Sequence, residues 1–130
     1  MQRKKFQSHP SLPTGLPANV AAMLCYSCPL TFITGIIFLL IEKENRDVRF
    51  HAWQAVFLGV VALVVLVALS ILAAIMGVIS AMLASLMGII VFGAALSFAA
   101  LWVVCMVKAY QGERYQLPFI GAMAEQQALL

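Results

Sequence analysis

The sequence predicts an all-α integral membrane protein. It has three antiparallel transmembrane helices, a charged loop between the first two and a short amphipathic C-terminal segment. Three observations predict this class. The 130-residue chain is 64% hydrophobic and only 10% charged, whereas soluble domains carry about 25% charged residues. A water-soluble domain of this size has no core large enough to hide so much apolar surface. Two runs without Asp, Glu, Lys or Arg, 18–41 and 52–107, are each long enough to cross a hydrocarbon core of ~30 Å. Six of the thirteen residues of those four types fall between Glu42 and Arg49, and the next is Lys108.

Residues 1–17 hold Pro10, Pro13 and Pro17 around Gly15, behind the basic start Arg3-Lys4-Lys5. Such a segment is extended or disordered, so it reads as a flexible tail before a single helical membrane domain over 18–130. Its polar spacer and the length of the next apolar run argue against a cleaved signal peptide. The first spanning helix is expected over 18–41, roughly 36 Å at 1.5 Å per residue. Pro29 inside it frees the Cys25 carbonyl one turn earlier, which predicts a kink near 25–29. Ser27, Thr31 and Thr34 follow at helical spacing, with Gly35 beside them. Their hydroxyls suit the loosened backbone or a neighbouring helix.

Residues 42–51 form the charged loop at a membrane surface. The next run is about twice one span and must fold back once. Gly77 and Ser80 place that turn near 77–82, leaving helices over 52–75 and 83–108. Gly112 then breaks the last helix and Leu117-Pro118 opens a turn. Residues 119–130 are expected as a short helix, either on the lipid surface or against the 42–51 loop.

Lys43, Arg46, Arg49, Lys108 and Arg114 gather on one side, against Arg3, Lys4 and Lys5 on the other. The positive-inside rule therefore puts the 42–51 loop and the C-terminus on the cytoplasmic side of the cell membrane. Trp53, Tyr110 and Tyr115 lie on the charged side, as an interfacial belt does. The net charge of +3 is dispersed and forms no basic face, so anionic head groups fit it and nucleic acid does not.

Cys25 and Cys28 make a C-x-x-C pair, and Cys105 is the third cysteine. Structural zinc and iron–sulfur sites usually need four soft ligands. Packing inside a membrane helix accounts for all three, and no metal or cofactor is expected. Small residues at four-residue steps, Ala84/Gly88, Gly93/Ser97 and Ala95/Ala99, would let helices approach closely. His51 reads as an interfacial residue that bonds loop backbone or a loop carboxylate such as Glu42 or Asp47. The sequence shows no carboxylate pair, nucleophile triad or phosphate loop. No charged side chain interrupts 50–107, where an ion-coupled transporter carries an ionisable group. These absences point away from an enzyme or a self-sufficient pump.

The stretches TGIIFLLIEKENRDVRFHAWQA and KAYQGERYQLP, followed by Gly121, Ala124 and Glu125, resemble a Tic-twenty-like family of small prokaryotic membrane proteins. That family is related to the chloroplast inner-envelope protein-import component. The resemblance implies a multi-spanning helical domain. It also gathers the recognisable polar residues into a cap at one membrane surface, built from Glu42, Arg49, Phe50, His51, Gln54, Tyr110, Gly112 and Glu113. Glu42 would pair with Arg49 across the loop. His51 and Gln54 would tie the loop to the second helix, and Tyr110, Glu113 and Arg114 would close over it. The expected function is a non-catalytic scaffold or accessory subunit of a membrane complex. It would be embedded in the bilayer with copies of itself or with other membrane subunits. The resemblance adds an alternative, an oligomeric channel or protein-translocation component.

Overall fold

The computed structural model describes residues 13, 15–27 and 31–130. Five helices follow in order: α1 (Ala18–Leu24), α2 (Thr31–Ile41), α3 (Arg46–Ile79), α4 (Ala81–Tyr110) and α5 (Ile120–Leu129). No strand forms among the described residues. Both α3, of 34 residues, and α4, of 30, are long and apolar enough to cross a membrane.

The helix expected over 18–41 is instead two short ones. At seven and eleven residues, α1 and α2 extend about 10 Å and 16 Å, and neither crosses a ~30 Å core. The kink assigned to Pro29 lies outside the described residues, as does Cys28. The carbonyl that a proline at that position would free is nevertheless accounted for: Cys25 O accepts the Thr34 hydroxyl at 2.6 Å.

The charged loop is also shorter than expected. Only residues 42–45 lie outside helix, because Asn45 starts α3 six residues earlier than the apolar run does. Asn45 Oδ1 accepts the backbone N–H of Asp47 and Val48, at 3.0 and 3.2 Å. This satisfies donors that a helix N-terminus otherwise leaves open. Glu42 is buried and its Oε1 accepts the N–H of Glu44 and Asn45, at 3.0 and 2.8 Å. The expected turn near 77–82 narrows to Ser80, whose hydroxyl accepts the Met82 N–H at 3.2 Å. Gly112 ends α4 as expected. It adopts φ +73, and two backbone bonds close the helix end, Gly112 N–H to Ala109 O and Glu113 N–H to Lys108 O. That is a Schellman closure, which favours glycine at its left-handed position.

By its contacts the chain divides into two units, Met1–Gly59 with Trp102–Leu130, and Val60–Leu101. In the second unit, large apolar side chains such as Val64, Ile71, Ile89 and Phe92 are exposed, as lipid-facing residues are. Ser70, Ser85 and Ser97 each bond the carbonyl four residues back in their own helix. A Cβ placed on Gly88 or Gly93 would meet nothing within 4 Å, so these small residues do not serve packing within the chain.

The first unit is densely packed. A Cβ placed on Gly35 would lie 2.7 Å from Ala52 O, and one on Gly59 would lie 2.8 Å from Phe32 N. Thr31 donates its hydroxyl to Ala55 O at 2.8 Å across the same crossing. As α2 advances from Thr31 to Gly35, its contacts on α3 retreat from Gly59 to Ala52, so the two helices run antiparallel. In turn α1 runs antiparallel to α4. Asn19 donates to Tyr110 O at 3.0 Å, and Trp102 Nε1 donates to Tyr26 O at 2.5 Å. Helix α1 therefore starts beside the end of α4, and α2 ends beside the start of α3. Helix α5 lays Gly121, Ala124 and Ala128 inward, with Ala124 and Ala128 clustered on Phe50 and flanked by Trp53 and Phe57.

Candidate functional site

The first unit centres on three buried polar side chains, Tyr26, His51 and Gln54, each 0% exposed. His51 and Gln54 are three residues apart on α3, nearly one turn, and so share a face. Tyr26 reaches them from the end of α1. The Tyr26 hydroxyl lies 3.2 Å from His51 Nδ1 and accepts from Gln54 Nε2 at 3.2 Å. The imidazole tautomer sets which of the Tyr26 hydroxyl and His51 Nδ1 donates to the other. The backbone of Glu113 also hydrogen-bonds His51.

Gln54 is the hub. Its Nε2 also donates to Tyr115 O at 2.9 Å and lies 3.7 Å from Cys105 Sγ, and its Oε1 accepts the Leu117 N–H at 3.3 Å. One carboxamide thus holds α1 and α4 to the backbone of the segment that follows Gly112. Buried polar groups are tolerated when their bonds are complete, and here their bonds fasten an irregular stretch of chain that has no helix or sheet ladder of its own.

An ionic layer stands beside this pin. Arg114 Nε bonds Asp47 Oδ1, with the Asp47 side chain 2% exposed, and its guanidinium lies 5.8 Å from the centre of the Phe50 ring. Phe50 and Tyr26 each meet His51 edge-on. Lys108 pairs with Glu113 at 3.0 Å, and Gln116 bonds Glu125 at the start of the last segment.

Several sequence expectations change here. Glu42 and Arg49 do not pair. Glu42 caps the loop amides, and Arg49 donates Nη1 to Lys43 O at 3.3 Å. His51 and Gln54 do tie elements together, but they tie α1 and the C-terminal segment to α3. Tyr110 is exposed, and its carbonyl rather than its ring serves the site. Gly112 acts through backbone geometry, Glu113 through its backbone on His51 and its carboxylate on Lys108, and Phe50 is a buried neighbour of His51. Cys25 back-bonds Ala21 O at 3.4 Å, a helix contact, and the C-x-x-C pairing lies partly outside the described residues. Sequence reasoning missed Tyr26, Asp47, Trp102 and Cys105 as site residues. The one visible signal was a tyrosine and a tryptophan placed well inside apolar runs, where each needs a hydrogen-bond partner.

Residues 17–124 match the magnetosome magnetite crystal formation protein family, MamF/MmsF. The chain belongs to the MamF/MmsF family. The matched residues run from α1 through the middle of α5 and contain the whole pin. The chain is also similar to two archaeal membrane proteins. A UPF0132 membrane protein of Methanocaldococcus jannaschii is 40% identical over 116 residues, covering 86% of this chain and 89% of the relative. One of Archaeoglobus fulgidus is 39% identical over 109 residues, covering 84% and 93%. No solved structure matches. These matches overturn the Tic-twenty-like resemblance. The stretches 34–55 and 108–118 that carried it lie inside the region matched to the MamF/MmsF family, and the translocation alternative loses its ground with it. A membrane protein of a family without an assigned specific role is what the relatives' names support.

Proposed function

We propose that this protein is a non-catalytic membrane scaffold or accessory subunit whose working part is the pinned cap of the first unit. In this reading α3 and α4 cross the bilayer. Helix α1 dips in and α2 returns, so the start of α1, the 42–45 loop and α5 share one face. The observation that carries the reading is where the buried polar groups spend their bonds. His51 and Gln54 are committed to the backbone at 113, 115 and 117, and the Tyr26 hydroxyl is committed to both of them. Such an arrangement fixes a surface.

The family name speaks of magnetite crystal formation. Carried to this chain, it favours a shape-holding role over ion binding. Of its five Asp and Glu residues, Glu42 caps a loop, and Asp47, Glu113 and Glu125 bond Arg114, Lys108 and Gln116. No group of three or more His, Cys, Asp or Glu forms a metal cluster among the described residues. The scaffold's partners would be further copies or other membrane subunits. Cross-linking in intact membranes, followed by gentle extraction, is expected to trap a discrete complex of fixed stoichiometry. A chain that stays monomeric at native abundance overturns the reading.

A further inference from the structure

The first turns of α3 carry buried donors that the fold leaves unused. Asn45 Nδ2, Arg49 Nε and Trp53 Nε1 are buried N–H groups without a hydrogen-bond partner. They occur at four-residue steps, so they line one stripe of the helix over about 12 Å. Asn45 is only 3% exposed; its Oδ1 is consumed as the cap while its amide N–H₂ is left over. All three are donors. Buried donors without acceptors are uncommon in folded proteins, and a row of them asks for a ligand rich in acceptor oxygens.

Position and charge narrow the ligand. Arg49 is the last charged residue before the uncharged run, and Trp53 follows one turn on, stacked on Phe57 at 5.6 Å. The stripe thus crosses from water to lipid, at the depth of phosphate groups. Lys43 and Arg46 are exposed beside it. With Arg114 they and Arg49 make four cations against Glu42, Glu44 and Asp47, a local balance of +1. Asp47 is neutralised by Arg114, and Glu42 is turned onto the loop amides. One phosphodiester monoanion balances that charge, whereas a zwitterionic head group brings its own cation.

We propose that the Asn45–Arg49–Trp53 stripe is a binding site for the phosphate of an acidic phospholipid in the leaflet around α3. Arg49 supplies charge and a directed N–H, Trp53 supplies an indole N–H at the apolar edge, and Arg46 adds field from solvent. Arg49 and Trp53 are half-buried, so a change of rotamer exposes their donors to the head group.

The test uses the full chain in a neutral detergent, with bound lipid counted by native mass spectrometry. Phosphatidylglycerol, phosphatidylcholine and inorganic phosphate are titrated separately at one ionic strength. One phosphatidylglycerol per chain is expected, preferred over phosphatidylcholine by about tenfold or more, the effect of one directed ionic contact. Trp53→Phe keeps an aromatic ring beside Phe57 and removes the indole N–H together with the pyrrole part of the ring. It is expected to weaken retention several-fold, as is Arg49→Gln, with thermal melting in lipid-free detergent confirming that each variant is folded. Equal retention of the two lipids, or unchanged retention in folded Trp53→Phe and Arg49→Gln, overturns the site and leaves ordered water as the partner of these donors. Displacement of phosphatidylglycerol by an equal concentration of inorganic phosphate overturns the lipid assignment in favour of a free anion.

Discussion

Gln54→Leu is expected to destabilise the protein by about 3–4 kcal/mol, since each buried group stripped of its partner costs about 1–3 kcal/mol. Leucine nearly matches the volume of glutamine but makes none of its bonds. The Leu117 N–H loses its acceptor, Tyr115 O loses a donor at 2.9 Å, and the Tyr26 hydroxyl loses the donor that orients it. The packing is kept, so the loss reads the polar pin and not a cavity. Thermal or denaturant unfolding in detergent measures it. The segment after Gly112 should also become sensitive to protease before the rest of the chain unfolds. A change below about 1 kcal/mol, the worth of one ordinary hydrogen bond, would mean that these bonds do not hold the segment.

Arg114→Ala is expected to cost about 3 kcal/mol. That is the lower part of the range for a broken buried ion pair, because 18% of the Arg114 side chain is exposed and already solvated. The substitution leaves the Asp47 carboxylate, 2% exposed, without its guanidinium, and it also removes the cation from the Phe50 ring. Adding Asp47→Asn to Arg114→Ala should recover much of the loss, since the amide needs no counter-charge. Unfolding of the two single variants and the double variant, read as a double-mutant cycle, checks this. Additive losses with no recovery would show that the two side chains act independently.

What could be read from the sequence follows the range of each interaction. Hydropathy locates the apolar runs, the reversal near Ser80 and the end of α4 at Gly112, because each depends on neighbouring residues. It misjudges 18–41, since total hydrophobicity there is that of a full span and does not report whether the chain turns back. The hint was present: Pro29 and the hydroxyls of Thr31 and Thr34 accompany a helix that is interrupted, and Gly35 and Gly59 permit the close crossing that follows. The start of α3 was also legible in principle, in Asn45 followed by Arg46 and Asp47. The abundance of charge masked this capping signal and suggested a loop. In the site, His51, Gln54 and Glu113 could be singled out as polar residues bordering apolar runs. Their partners could not. Tyr26 lies 25 residues from His51, and Arg114 lies 67 from Asp47, and no local pattern records such separations. Glu42 and Arg49 illustrate the opposite error. Opposite charges close in sequence suggested a pair, while the backbone amides of Glu44 and Asn45 offered Glu42 nearer partners.

In the proposed topology α1 enters and α2 returns on one side, so that the start of α1 and α5 share a face. One protein carrying an epitope tag before Met1 and a different tag after Leu130, in sealed vesicles of known orientation, tests this directly with an impermeant label. Both tags are expected to react from the same face, together with the new thiol of a Glu44→Cys variant at that exposed position. Tags that react from opposite faces would require 18–41 to cross the bilayer, and would contradict the account.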